Sequence, residues 1–160
     1  MTKPFIAIVL VALPAAALAG QAPPPDGIRV TTTGAAREIT GRVLDSLAVD
    51  TVIASFHERP PATYVGVGVD RLLAYAGVIV AGSRGRDFEQ VVVVEAHDGY
   101  RMTFGVGEID PSITGRRIVL ARATGEGEGE GPWRLVVPGD RRGARWVRQV
   151  RSIRLVRISG

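Results

Sequence analysis

The sequence predicts an α+β domain in which strands predominate. Three observations support this class: β-branched segments recur along most of the chain, two short stretches have helical spacing, and no internal repeat is present. The chain has 160 residues, of which 46% are hydrophobic, and this size and composition suit one globular domain. We therefore expect a single domain over residues 28–160.

The first residues have the three parts of a signal peptide. Lys3 precedes an apolar stretch at residues 5–13, and Ala17-Leu18-Ala19 supplies the small residues that signal peptidase reads. The apolar stretch is shorter than the ~20 residues that a membrane-spanning helix needs. We expect residues 1–19 to be a cleaved signal peptide and residues 20–27 to be an extended proline-rich leader. The mature protein is then periplasmic or secreted, with no membrane span.

Helical spacing occurs at two places in the expected domain. Residues 40–47 carry apolar side chains four positions apart, and Thr40 is a suitable N-cap residue, so a short helical turn is predicted there. In residues 69–76 the apolar side chains fall on one helical stripe, and Gly77 follows as a C-cap. The sequence therefore predicts two short helices.

The other elements are predicted to be strands because they are rich in β-branched and other apolar residues. Asp98-Gly99 lies between two of them and is the strongest hairpin signal in the chain. The valine run that ends at Val94 is continuous, which predicts a strand buried on both faces. The predicted strands cover residues 28–33, 50–57, 78–81, 90–94, 100–104, 117–123, 133–137 and 152–158.

No nucleotide-binding motif is predicted. Gly82-Ser83-Arg84-Gly85 follows an apolar segment, as a phosphate-binding loop does, but the dinucleotide and Walker patterns both need a helix directly afterwards. Residues 87–94 are predicted to be a strand instead. Ser83 also lacks the glycine pattern of a nucleophile elbow, so no catalytic residue is assigned.

No metal site is predicted either. The chain has no cysteine, which excludes disulfides, thiolate metal sites and a cysteine nucleophile. On a strand Glu95 and His97 would share a face as metal ligands must, but polar positions at strand ends explain them and His57 more simply. Either histidine has the titration range of a general acid or base. Residues 125–131 alternate Gly and Glu and are interpreted as a solvated loop, with a weak cation site as the alternative.

Positive charge is concentrated at the C-terminal end. Residues 134–160 contain one acid, Asp140, and eight arginines: Arg134, Arg141, Arg142, Arg145, Arg148, Arg151, Arg154 and Arg157. Guanidinium groups bind phosphates and carboxylates bidentately, so this segment predicts an anion site. The alternative is a solvated surface in an arginine-rich protein. Export argues against nucleic acid as the partner.

Four segments occur in an order and at spacings typical of a known family. They are residues 64–77, residues 96–100, the octapeptide Gly-Pro-Trp-Arg-Leu-Val-Val-Pro at 131–138, and residues 145–153. Together they resemble the oxidoreductase molybdopterin-binding domain of sulfite-oxidase-like proteins, over about residues 28–158. The resemblance implies a compact α+β domain with the sulfite oxidase fold, and exported members of this family are common.

The resemblance also implies a cofactor site. In the family, the arginine of the Pro-x-Arg-Leu-Val-Val-Pro segment and a later basic residue help to hold the phosphate of the pterin cofactor, which carries over to Arg134 and Arg148. The family binds molybdenum through a cysteine shortly before the Tyr/Trp-x-Gly-Val segment, whereas residues 54–64 contain none. Since a soft sulfur ligand tunes that metal centre, the resemblance implies a member without cysteine-ligated molybdenum.

The predicted function is therefore binding rather than sulfite-oxidase-type catalysis. We expect an exported domain that holds molybdopterin, another pterin or another anionic small molecule through Arg134 and Arg148. Two alternatives stay open. The first is a molybdopterin-dependent oxidoreductase that acts on a small oxyanion or sulfoxide with an atypical metal site, and the second is an interaction domain without a ligand.

Overall fold

Two sheets and short helices make up the computed structural model, which describes residues 26–55, 60–123 and 131–158. The predicted α+β class with mostly strands is confirmed. The strands are β1 (Ile28–Thr31), β2 (Ala36–Ile39), β3 (Asp50–Ala54), β4 (Ala62–Gly68), β5 (Gln90–Ala96), β6 (Arg101–Gly105), β7 (Val119–Arg122), β8 (Trp133–Val136) and β9 (Val150–Arg157). The helices are α1 (Gly41–Leu47), α2 (Val69–Tyr75), α3 (Val106–Ile109) and α4 (Pro111–Thr114), with 3-10 turns at Gly85–Glu89 and Gly143–Arg145.

The arginine-rich C-terminal strand lies in the middle of the larger sheet. That sheet has the order β2-β1-β9-β5-β6, in which β1 and β9 are parallel and the other pairs are antiparallel. The smaller sheet has the order β3-β4-β7-β8 and is antiparallel throughout. Side chains on β9 therefore have neighbours from both β1 and β5.

The larger sheet has one face in the core and one polar face. On β5, Val92 and Val94 are fully buried, whereas Val91 and Val93 are half-buried on the opposite face. The prediction that this strand is buried on both faces is therefore wrong. The alternation follows from the period of two along a strand, and an antiparallel strand with one solvated face is expected to show it.

The two predicted helices are confirmed, although α2 ends at Tyr75, one residue earlier than predicted. The Thr40 side chain caps α1 by accepting a hydrogen bond from the backbone N–H of Val43 at 3.4 Å. Gly77 follows α2 with a φ of 98°, a left-handed conformation that glycine adopts without a steric penalty. The hairpin prediction at Asp98-Gly99 is also confirmed, since β5 and β6 pair as antiparallel neighbours.

The predicted strand at residues 78–81 is wrong, because this segment lies outside both sheets. The residues that follow bind a side chain instead of a strand. The backbone N–H groups of Gly82 and Ser83 donate to the buried carboxylate of Asp110 at 2.7 and 3.0 Å. Gly85–Glu89 then forms a 3-10 turn, so the predicted strand at 87–94 begins only at Gln90. These amides bind a carboxylate instead of a neighbouring strand.

Several elements were not predicted. They are β2, α3 and α4, which have only four residues each, and β4, in which two glycines interrupt the β-branched residues. Three sequence predictions lie outside the described residues: the signal peptide and leader up to residue 25, His57, and the Gly/Glu segment through residue 130.

Candidate anion-binding site

The polar face of the larger sheet carries a row of charged side chains. Four paired residues form one row across the sheet: Arg29 of β1, Ser152 of β9, Glu95 of β5 and Arg101 of β6. Arg154 lies two residues further along β9 and therefore on the same face. The sheet thus gathers arginines from the beginning, the middle and the end of the described chain.

Arg151 joins this row through an irregularity in the pairing of β5 with β9. Glu95 pairs with Ser152 and Ala96 pairs with Val150, so Arg151 has no partner position on β5. A β-bulge of this kind re-aims a side chain. The Nη2 atom of Arg151 accordingly lies 2.8 Å from Oε1 of Glu95, on the polar face.

Glu95 organises two of these arginines. Its Oε1 atom accepts hydrogen bonds from Nε and Nη2 of Arg101 at 3.0 and 2.7 Å as well as from Arg151. The hydrogen bond from Arg151 is the largest cause that lowers the pKa of Glu95 to about 2, Arg101 adds to it, and burial opposes it. Glu95 is therefore an anion over the physiological pH range, although it is only 6% exposed.

An open cavity of about 290 Å³ lies over this part of the sheet. Its described lining consists of Arg29, Thr31, Glu95, Arg101, Arg151, Ser152 and Arg154, and we call it the arginine cavity. The Nε atom of Arg154 is buried and has no hydrogen-bond partner within the described residues. A buried donor without a partner costs roughly 1–3 kcal/mol, which a bound acceptor would relieve.

Positive charge exceeds negative charge in the arginine cavity. Arg29 forms an ion pair with Glu38 of β2. Arg101 and Arg151 share the single carboxylate of Glu95, and Arg154 has no ion pair with any described residue. Two positive charges are therefore unmatched. This arrangement is suited to charge-assisted hydrogen bonds with an oxyanion, and its described lining contains no group that titrates near neutral pH.

Arg134 and Arg148, the two arginines that the family resemblance selects, lie elsewhere. Arg134 is half-buried on β8 of the smaller sheet, opposite Ala121 of β7. Arg148 is exposed after the 3-10 turn at Gly143–Arg145. Neither belongs to the described lining of the arginine cavity.

Arg148 lines a second cavity, of about 200 Å³. Its described lining consists of Ala96, Asp98, Tyr100, Gly143, Ala144, Trp146 and Arg148. Arg134 is not part of that lining. The second cavity combines one arginine and one carboxylate, Asp98, with two aromatic side chains, whereas the arginine cavity contains no aromatic group among its described residues.

Other C-terminal arginines have structural partners. Arg145 binds both carboxylate oxygens of Asp140 at 2.8 and 2.6 Å and also binds Glu108 at 2.6 Å. The hydrogen bond with Asp140 is the main cause that raises the pKa of Arg145. Arg157 pairs with Glu89 at 3.3 Å. The C-terminal excess of arginine therefore divides into residues that hold the fold and residues that face a cavity.

The structure does not bring Glu95 and His97 together as metal ligands. His97 is exposed beyond the end of β5 and its backbone N–H donates to the carbonyl of Gln149, while the Glu95 carboxylate binds arginines. Within residues 26–55, 60–123 and 131–158, no cluster of three or more histidine and acidic side chains could hold a metal ion.

The sequence indicates Arg151 and Arg154 only as part of the C-terminal charge, and it does not indicate Arg29, Glu95 or Arg101 as anion-binding residues. The signal in the sequence is the alternation of apolar and polar residues along each strand, as in Ile28-Arg29-Val30-Thr31, where the polar residues share one face. That signal shows which face a residue occupies. It does not show that β1, β5 and β6 lie around β9.

No protein-family model matches the chain, and no curated protein matches it. The part of the chain that the structure describes contains no helix long and apolar enough to cross a membrane. The observations define an α+β protein of two sheets with a strongly cationic cavity on the polar face of the larger one.

Proposed function

We propose that this protein binds an anionic small molecule in the arginine cavity. The observation that carries the proposal is the buried Nε of Arg154, which lines the cavity and has no hydrogen-bond partner among the described residues. An oxyanion in the cavity would accept this hydrogen bond and offset the unmatched charge. Function thus rests on an arginine from the C-terminal group, as the charge distribution of the sequence predicts.

The sheet supplies a rigid support for such a site. Arg154 lies on the central strand β9, and Glu95 holds Arg101 and Arg151 in place by hydrogen bonds. Binding groups that are fixed before the ligand arrives lose less conformational entropy on binding. Thr31 adds a hydroxyl group at the cavity wall, which can donate to the same oxyanion, whereas the Ser152 hydroxyl donates to Oε2 of Glu95 at 3.4 Å.

The family resemblance suggests one member of this ligand class. A pterin that carries a phosphate, held on a sulfite-oxidase-like fold after export, agrees with guanidinium and hydroxyl donors in the cavity. The donor set does not suit a molybdenum centre bound through a protein thiolate, because the chain has no cysteine. We therefore propose binding, and we do not assign a redox step to this protein.

The test is isothermal titration calorimetry of the purified protein with inorganic phosphate and sulfate. Arg154→Gln should lower the affinity about 10- to 100-fold, because a charge-assisted hydrogen bond contributes roughly 1.5–3 kcal/mol. Arg142→Gln is the matched control, since Arg142 is an exposed C-terminal arginine outside both described cavities, and its affinity should stay within about twofold of the wild type. Absence of saturable binding, or equal affinity in Arg154→Gln and wild type, would refute the proposal.

A second candidate site is the cavity at Arg148. Tyr100 and Trp146 line it beside the Arg148 guanidinium and the Asp98 carboxylate. Aromatic side chains suit a flat ring, and the guanidinium can bind an anionic group on that ring. Arg148→Gln distinguishes the two sites. If anion binding is lost in Arg148→Gln and kept in Arg154→Gln, the cavity at Arg148 is the binding site, as the sequence predicts.

A further inference from the structure

We propose that the ligand presents a doubly charged oxyanion group, such as a phosphate monoester, to the arginine cavity. This inference rests on the proposed function and adds the charge class of the ligand. It follows from the number of guanidinium groups and carboxylates that the fold brings to the cavity.

The charge balance has two separate contributions. The first comes from Arg101 and Arg151, which share Glu95 as their one carboxylate and leave one positive charge unmatched. The second comes from Arg154, which has no ion pair among the described residues. Arg29 adds no further positive charge to this excess, because it forms an ion pair with Glu38. A dianion therefore neutralises the site, whereas a monoanion leaves one cation uncompensated.

The charge of the site stays constant over a wide pH range. Among the described residues, the charged groups that face the cavity are Arg29 on β1, Arg101 on β6, Arg151 and Arg154 on β9, and Glu95 on β5, with Glu38 beside them on β2. The pKa of Glu95 is about 2, and arginine stays protonated far above neutral pH. Any change of affinity between pH 5 and 8 must therefore come from the ligand.

The cavity is larger than a bare inorganic ion requires. A volume of about 290 Å³ corresponds to roughly ten water molecules at ~30 Å³ each. That value lies just below the range for small-molecule sites, about 300–1,000 Å³. The cavity therefore has room for a small organic molecule whose anionic group faces the arginines.

The experiment compares dianions with a monoanion by isothermal titration calorimetry at constant ionic strength, since salt screens these interactions. The probes are sulfate, methyl phosphate, succinate and acetate. At pH 8, sulfate and methyl phosphate should bind with similar affinity, and acetate should bind at least about tenfold more weakly. Succinate, whose two charges lie on separate carboxylates, should bind more weakly than sulfate.

Measurements at two pH values distinguish protonation of the ligand from protonation of the site. At pH 5 methyl phosphate should bind about tenfold more weakly than at pH 8, because its second pKa is near 6 and most of it is then a monoanion. Sulfate remains a dianion, so its affinity should not change. Arg154→Gln, whose folding is checked by thermal unfolding, removes one of the two unmatched charges and should reduce the preference for sulfate over acetate.

The outcomes distinguish the two proposals. Acetate that binds as tightly as sulfate would overturn the dianion inference and leave the proposed anion binding intact. If succinate binds as tightly as sulfate, the inference of a single oxyanion group is wrong. The site would then accept two negative charges on separate carboxylates. If no probe binds, the proposed function fails and this inference fails with it.

Discussion

Two arginine–carboxylate clusters in this protein differ in their balance of charge. In the first, Arg117 binds Asp50 at 2.7 Å and Asp70 at 3.0 Å, and Arg71 binds Asp50 at 3.1 Å. Two cations therefore meet two anions. In the arginine cavity, Glu95 is the one carboxylate among the described lining residues, which include three arginines besides Arg29: Arg101, Arg151 and Arg154.

The difference separates a structural role from a binding role. Asp50 and Asp70 are each 8% exposed, and Asp50 also accepts the backbone N–H of Gly68 at 2.9 Å, so the balanced cluster links β3, α2 and the segment before β7. Buried charges of this kind must be paired. The unbalanced cluster faces a cavity, where a solute can supply the missing negative charge.

The largest effect on stability is expected from the balanced cluster. Arg117→Met should lower the free energy of unfolding by about 3 kcal/mol, because it leaves two buried carboxylates without their shared cation. Urea unfolding measures this change. Arg71→Met is the matched control: the Arg71 side chain is 50% exposed, so its loss should change stability by less than about 1 kcal/mol. If the two variants lose equal stability, the burial of an arginine does not determine how much its ion pairs contribute to the free energy of unfolding.

A smaller effect is expected from Glu95→Gln in the arginine cavity. The variant should be less stable by about 1 kcal/mol at pH 7, because the arginines that lose their carboxylate are partly exposed and solvent screens them. The folded-state pKa of about 2 lies below the usual value of 4.5, so the charged carboxylate stabilises the fold above pH 4.5 and this contribution is lost as the pH falls towards 2.

Thermal unfolding at several pH values tests this prediction. The difference in stability between the wild type and Glu95→Gln should be greatest above about pH 5 and should disappear near pH 2. A difference that stays constant over this range would mean that the Glu95 carboxylate does not stabilise the fold through its charge.

Local signals in the sequence predicted much of the fold. The N-cap at Thr40, the left-handed Gly77 and the Asp98-Gly99 hairpin were predicted because each depends on neighbouring residues only. Residues 78–81 were predicted wrongly because Asp110, far along the chain, binds the amides that follow them. Long-range contacts of this kind leave no trace in a local pattern.

The site could be predicted only in part for the same reason. The sequence indicated arginine as the binding residue and the C-terminal segment as its location, but the selection of Arg134 and Arg148 rested on a family resemblance. Arg154 and Arg29 line the same cavity because β9 pairs in parallel with β1, and Arg151 faces Glu95 because of a bulge. Strand order and bulges are set by the whole sheet.

The smallest expected effect distinguishes the two clusters most directly. Arg154→Met should leave the free energy of unfolding unchanged or raise it by up to about 1 kcal/mol, because it removes a buried Nε that has no partner among the described residues. Methionine keeps most of the apolar contact that the arginine stem makes. Urea unfolding in a buffer without phosphate or sulfate measures the change. A loss of stability as large as that of Arg117→Met would mean that Arg154 supports the fold, and that the excess of charge in the arginine cavity is no evidence of binding.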